Sequence, residues 1–233
     1  MTSDVGLSGE QRAFRDAARA SARAASSTTP PRARLLELGR LGFLGLPFPS
    51  AIGGQDGDLF TFCLCVEAFA EADPDLARGI AAAVCLGILP IAALATPEQR
   101  RRLLPPLLGG AATAALADEG GVLTPSAAGW TLDAPASRLE GWLPAQLAIR
   151  PVAGPDGPAL AVLPLPPPGE VAPAADAEPV AAEAILGPPE RVPGILEDAR
   201  EVHRIARAAA EAAGDGPHRA LARGRARMVA IAP

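Results

Sequence analysis

The sequence predicts an α+β fold that is mostly α: an N-terminal helical bundle, a small, degenerate β-domain and one or two C-terminal helices. Five segments with helical apolar periodicity and recognisable start or stop signals fill the first 110 residues. Character changes at Ala111, where short strand-like runs alternate with prolines, and helical periodicity returns near Ile195. The expected domain boundaries are therefore 1–110, 111–193 and 194–233.

The first helix opens at Ser8 and Gln11, a Ser-x-x-Gln capping box in which hydroxyl and amide satisfy orphan N–H groups reciprocally, and runs to about Ala25. SSTTPP at 26–31 ends it. A second helix, about 32–44, carries Leu35, Leu38, Leu41 and Leu44 at three-residue steps. Gly39, Gly42 and Gly45 interrupt it, either to let another backbone approach or to terminate the helix. Pro47 and Pro49 force an extended turn and Gly53-Gly54 a loop. Residues 59–72 read as a buried helix stopped by Asp73-Pro74, with Asp75 expected to cap the next. That next helix is apolar on nearly every face to about Ala95, so it is the centre of a bundle or an interface. Thr96-Pro97-Glu98-Gln99 starts the fifth helix with a cap, a first-turn proline and a capping-box Gln; Gly109-Gly110 ends it.

Strands are expected at 113–117, 130–132, 146–152 and 159–163. Between Pro144 and Pro193 lie 13 of the 26 prolines, and a residue without an N–H restricts this region to short or edge strands and loops. Residues 164–179 are low in complexity and read as a poorly ordered connection. Residues 195–213 are helical again, and an Arg-rich, weaker helix is expected at 219–228.

Composition narrows the function. All 21 basic residues are Arg, net charge is −5 and basic residues are dispersed, which excludes nucleic acid as a main partner. Apolar residues make up 49% of the chain but nearly half of them are Ala, which buries little area per residue. Cys63, Cys65 and Cys85 lie in apolar helical stretches without a nearby His, which fits a reduced cytoplasmic protein without a metal site. The N-terminus lacks a signal pattern, and no apolar run reaches membrane-spanning length without Gly or Pro, so no membrane is expected. His203 and His218 stand apart from any nucleophile-like turn, and the Gly-Gly pairs fit no phosphate loop.

LLELGRLGFLGLPFPSAIGGQDGD (35–58), the helix that follows to Ala72, and ATPEQRRRLLPPLLGG (95–110) resemble, in order and spacing, the N-terminal helical domain of the acyl-CoA dehydrogenase family. GWTLDAPASRLEGWLPAQLAI (129–149) and GPALAVLPLPPPG (157–169) resemble segments of that family's middle β-domain. The resemblance implies FAD and an acyl thioester, carried by CoA or an acyl carrier, between the β-domain and a C-terminal helical domain. It also implies a homo- or hetero-oligomer. Flavin-contact positions fall on Leu116, Ala117 and Asp118, matching a Leu-Thr-Glu-Pro-like run, and on Arg138 and Glu140, matching the aromatic residue and Thr of a Trp-Ile-Thr segment.

At these positions the hydroxyls are gone, and Glu140 puts a carboxylate where the family has a donor. Arg138 and Glu140, two apart on a strand, either pair with each other or face a flavin; pairing is favoured because charges are seldom buried unpaired. The family's catalytic Glu comes from the C-terminal helical domain, most of which is expected to be absent. Its alternative position falls on Arg207 and Ala208, while Glu201 and Glu211 read as solvated surface, so no catalytic residue is assigned. The expected function is an FAD-dependent oxidoreductase acting on the CH–CH group of an acyl thioester, truncated and impaired alone. The alternative is a non-catalytic accessory subunit or pseudoenzyme that associates with a complete acyl-CoA dehydrogenase.

Overall fold

A computed structural model of the chain describes residues 7–24, 30–127, 129–141, 144–166 and 178–212. The expected break at 26–29, most of the low-complexity connection, His218 and the Arg-rich helix at 219–228 lie outside the described residues.

Helix α1 (Gly9–Ala24) starts at the expected capping box: the Gln11 N–H donates to Ser8 Oγ at 3.1 Å and the Ser8 N–H to Gln11 Oε1 at 3.0 Å. Its apolar seat is thin, consisting of buried Ala18 and Ala22 with partly buried Phe14 beside them. Helix α2 (Pro31–Arg40) stops short of Leu44 because Gly42 turns to a φ of 84°, and Phe43–Gly45 continues as a 3-10 turn. The leucine series therefore splits: Leu35, Leu38 and Leu44 enter the core, while Leu41 stays exposed. Gly39 is a close-approach residue, since a Cβ there would lie 2.2 Å from the carbonyl carbon of Gly109.

Helix α3 (Leu59–Ala70) is capped by Asp58, whose carboxylate accepts from the Thr61 N–H at 2.7 Å, and is buried throughout its length from Thr61. The cap of α4 (Pro74–Ala82) is Asp73, not Asp75: Asp73 accepts from the Leu76 N–H at 2.9 Å. Pro74 occupies the first helical position, where its missing N–H is harmless, and this makes its predecessor the cap. A π-helical stretch, Ala83–Ile88, leads into α5 (Leu89–Leu94), whose Pro90 cannot donate to the preceding turn. The column Pro74–Leu94 is long and apolar enough to cross a membrane by length and composition, but 89% of its apolar window is buried inside the protein. Of the two possibilities left open by its sequence, it is the centre of the bundle. Helix α6 (Pro97–Leu108) carries the full Thr96–Gln99 capping box.

Among the described residues the sheet has eight strands: β1 (Ala114–Ala117), β2 (Gly121–Ser126), β3 (Gly129–Asp133), β4 (Leu139–Glu140), β5 (Leu147–Gly154), β6 (Gly157–Pro164), β7 (Glu178–Val180) and β8 (Ile185–Leu186). Strand β5 pairs antiparallel with β6, with Ala148 opposite Leu163. It pairs parallel with β1 at 147–149 and with β2 at 152–153. Pro151 falls in the step between those two partners, which is how a long strand tolerates it. Strands β2, β4, β7 and β8 were not foreseen; they are short or mostly exposed and lack a buried alternation to announce them.

Helices and part of the sheet share a core, while Leu123, Leu132, Ala148, Val152 and Val180 belong to a second cluster within the sheet. Leu116, Ile149, Leu160, Val162 and Leu186 join the helical cluster, and Gly87 lies so close to β1 that a Cβ would meet the Ala114 carbonyl oxygen at 2.7 Å. The Gln99 side chain donates to the Glu183 and Ile185 carbonyls at 3.1 and 2.8 Å, tying α6 to the start of β8. The last described helix, α7 (Val192–Ala212), packs on α3, α4 and α5 through Val192, Leu196, Ala199, Ala206 and Ala210, a stripe of helical period.

Candidate functional site

Two places in the molecule gather chemistry. The first is a cavity of about 960 Å³ between α7 and the α3–α5 layer. Local sequence builds one wall. Pro47 and Pro49 line it from the loop before α3, which turns through the 3-10 segments Phe43–Gly45 and Ser50–Ile52, and Asp56, at a φ of 53°, closes that loop by accepting from the Ser50 N–H at 2.7 Å. This hydrogen bond holds the Asp56 carboxyl below its usual range. The floor is apolar: Phe48, Leu59, Phe62, Val84, Leu89 and Ala93. The opposite wall is the second face of α7, where Ile195, Val202 and Ile205 lie beside Glu197, Asp198 and Glu201, and Arg191, Arg200 and Arg204 complete the rim.

Cys85 also lines this cavity, but burial pushes its thiol well above the usual range, and Cys63 and Cys65 are pushed up to about 12 by the same cause. Thiols held protonated are packing groups, not nucleophiles. Among the described residues no cluster of metal-ligating side chains occurs.

Glu201 corrects the surface expectation. Its side chain is 31% exposed, it lines the cavity, and it pairs with Arg204 one turn on. Glu211 does sit on the surface, paired with Arg207 at 2.9 Å. Sequence reasoning missed the cavity face of α7. The available signal was its width: Ile195, Val202 and Ile205 lie beside the core stripe, more apolar surface than one packing contact uses.

The second place is the corner where β1 ends against β4. Here all five flavin-matched positions come together. Leu116 and Ala117 are buried on β1, with Leu116 opposite Glu140 and Ala117 opposite Leu139. Beyond β1 the chain is stitched to the segment before β4. The Asp118 N–H donates to the Arg138 carbonyl at 3.0 Å, the Arg138 N–H to Asp118 Oδ1 at 2.8 Å, and the Ser137 hydroxyl to Asp118 Oδ1 at 2.8 Å. The Glu119 N–H in turn donates to Ser137 Oγ at 3.0 Å. The Ser137 hydroxyl, foremost among these donors, holds the Asp118 carboxyl below its ordinary value.

Arg138 and Glu140 are both exposed, and among the described residues no ion pair joins them, so the expected pairing does not form. Glu140 acts instead on His203 of α7. Burial lowers the affinity of that half-buried imidazole for a proton, Glu140 opposes the effect and Arg207 adds to it.

Comparison with known proteins adds the family context. The family model described as acyl-CoA dehydrogenase, N-terminal domain, matches residues 8–111. Probable acyl-CoA dehydrogenase YngJ of Bacillus subtilis (strain 168) is 37% identical over 71 residues, 30% of this chain and 19% of that protein, so the matched part is a small share of the relative. Butyryl-CoA dehydrogenase from Megasphaera elsdenii superposes with a TM-score of 0.72 at 21% identity, covering 91% of this chain and 67% of that one. PigA with FAD and proline superposes with a TM-score of 0.74 at 18% identity, covering 91% and 67%. At such identities the likeness to these two structures is one of fold.

Proposed function

Starting from the match of residues 8–111 to the N-terminal domain of the acyl-CoA dehydrogenase family, we propose that this chain is an acyl-thioester-binding protein that serves that family's oxidation of a CH–CH group together with a flavin-carrying relative. One observation carries the proposal: the cavity between α7 and the α3–α5 layer. Its 960 Å³ lies within the size range of small-ligand sites, and an apolar floor under a charged rim suits an acyl chain whose polar carrier stays at the mouth.

FAD is the cofactor implied by resemblance, and it would supply the hydride acceptor. The β1–β4 corner does not fit an isoalloxazine held as in the family. The N–H groups of Asp118, Glu119 and Arg138 are already engaged within the chain, Ala117 has no hydroxyl, and Glu140 is an acceptor-only carboxylate. An anion there opposes a flavin that gains negative charge on reduction. No step is therefore assigned to a flavin bound at these five residues.

A second reading, an FAD-dependent oxidoreductase acting by itself on an acyl thioester, is favoured by Glu201, a carboxylate on the cavity wall at which a proton from a bound thioester can be received. That reading requires flavin contacts other than the five at the corner.

Calorimetric titration with an acyl-pantetheine thioester, run beside a visible spectrum of protein incubated with FAD and desalted, separates the two. The expected result is thioester binding by a colourless protein, weakened at least about tenfold by Ala93→Phe, which fills the floor. Retained flavin colour that bleaches on adding the thioester establishes the second reading, and absence of thioester binding removes both.

A further inference from the structure

The α1–α3 contact contains an ionisable arrangement that the proposed activity does not use. Arg15 and Arg19 lie one turn apart on α1, and Glu67 and Glu71 one turn apart on α3. One rung of this ladder is closed: Arg19 forks onto Glu71, with Nε to Oε2 at 3.0 Å and Nη2 to Oε1 at 2.7 Å. The other is open. Glu67 is only 6% exposed, and its Oε2 is buried without a hydrogen-bond partner. Since Glu71 of the same helical face is clamped by α1, Glu67 one turn earlier lies beneath α1 as well. An unpartnered buried carboxylate is tolerated as the neutral acid and strongly disfavoured as the anion. The apolar seat of α1 is too thin to override this, being Ala18, Ala22 and part of Phe14.

We propose that the α1–α3 contact is a proton-dependent latch: neutral Glu67 seats α1 on α3, and ionisation of Glu67 loosens it. Charges on both α1 and α3 act on Glu67. Burial raises its proton affinity most, Glu71 on its own helix adds to this, and Arg19 and Arg15 on α1 oppose both. Asp16 on α1 is occupied with Arg15 and Arg19, and no group of α4 or α7, which also pack on α3, is among the charges that act on Glu67. The balance pushes Glu67 up to about 7 in the seated state, against the ordinary glutamate value of 4.5 that it approaches when uncovered. Seated α1 therefore holds more protons between these values. Docking is strongest below the lower one, weakens as pH rises towards the upper one, and levels off beyond it.

Amide hydrogen exchange of α1 in the whole chain, corrected for intrinsic exchange, tests this between about pH 5 and pH 8. Protection of residues 18–24 is expected to fall at least about tenfold across this range in the wild type and to stay flat in Glu67→Gln, which keeps the shape and removes the charge. A flat wild-type profile, or an unchanged fall in Glu67→Gln, overturns the proposal. If Glu67→Gln does not fold, the wild type decides alone. The Glu67 carboxyl ¹³C shift and the α1 protection must titrate together, and separate midpoints overturn the latch.

Discussion

The helical block and the β1–β4 corner are built on different scales of sequence separation. In the block, Asp58 caps α3 through a bond to Thr61 and Thr96 caps α6 through a bond to Gln99, each spanning three residues. At the corner, Asp118 is held by Arg138, 20 residues away, and Glu119 by Ser137, 18 residues away. Local caps can be read from a few adjacent letters, whereas the corner requires two segments to arrive in register first. The family model of the N-terminal domain matches residues 8–111, the helical block, while Asp118, Glu119, Ser137 and Arg138 at the corner form a closed hydrogen-bonded unit. A change at the corner can be absorbed by a new internal partner; a lost close approach in the block has no such remedy.

Substitutions sharpen the contrast, and the largest effect is expected in the block. Gly39→Ala adds a helix-favouring residue, a gain of about 1 kcal/mol. It also drives a Cβ to 2.2 Å from the Gly109 carbonyl carbon, which only a backbone shift relieves. Overpacking of this kind costs about 1–3 kcal/mol or more, so a lowered urea midpoint is expected despite the propensity. An unchanged midpoint would show that α2 slides freely on the 109–110 turn. Thr96→Ala removes one cap hydroxyl and is expected to cost about 1 kcal/mol by the same measurement. The Gln99 bonds to Glu183 and Ile185 should hold the α6 start in place, so hydrogen exchange at β8 is expected to stay unchanged.

The smallest effect is expected at the corner itself. Asp118 has a depressed folded-state value, so its contribution to stability is present above the ordinary carboxylate range and is lost as pH falls through the folded value. Ser137→Ala removes the foremost cause. An NMR titration should find Asp118 moved back towards an ordinary carboxylate, with little change in the unfolding midpoint at neutral pH. A large loss of stability would mean that the corner is as intolerant as the block, and the contrast would fail.

Much of the fold was legible in advance. The capping boxes at Ser8 and Thr96 and the buried column from Pro74 form as the sequence suggests, because their signals act over one helical turn. Asp75 was misjudged as a cap because Pro74 and Asp73 compete with it over two residues, and proline geometry decides. The four unforeseen strands carry too few buried residues to show a period of two, and pairing with distant strands defines them. For the site, the five corner positions were named by resemblance, and the structure brings them together. The cavity and Glu201 were not read, since a glutamate on an amphipathic helix has the same letters whether it meets solvent or a cavity.

The sequence by itself determined the helical fold of the first 110 residues and its caps, because those depend on side chains within a turn of the backbone they satisfy. Only the tertiary structure decided that α7 turns a second apolar face to a cavity, and that Asp118 is bound by Ser137 and Arg138 instead of being open to a ligand. It also decided that Glu67 is buried with an oxygen unpartnered. Burial and partner choice at those residues depend on segments distant along the chain, such as Arg19 and Glu71, 52 positions apart, and no local pattern encodes a distance that folding has yet to close.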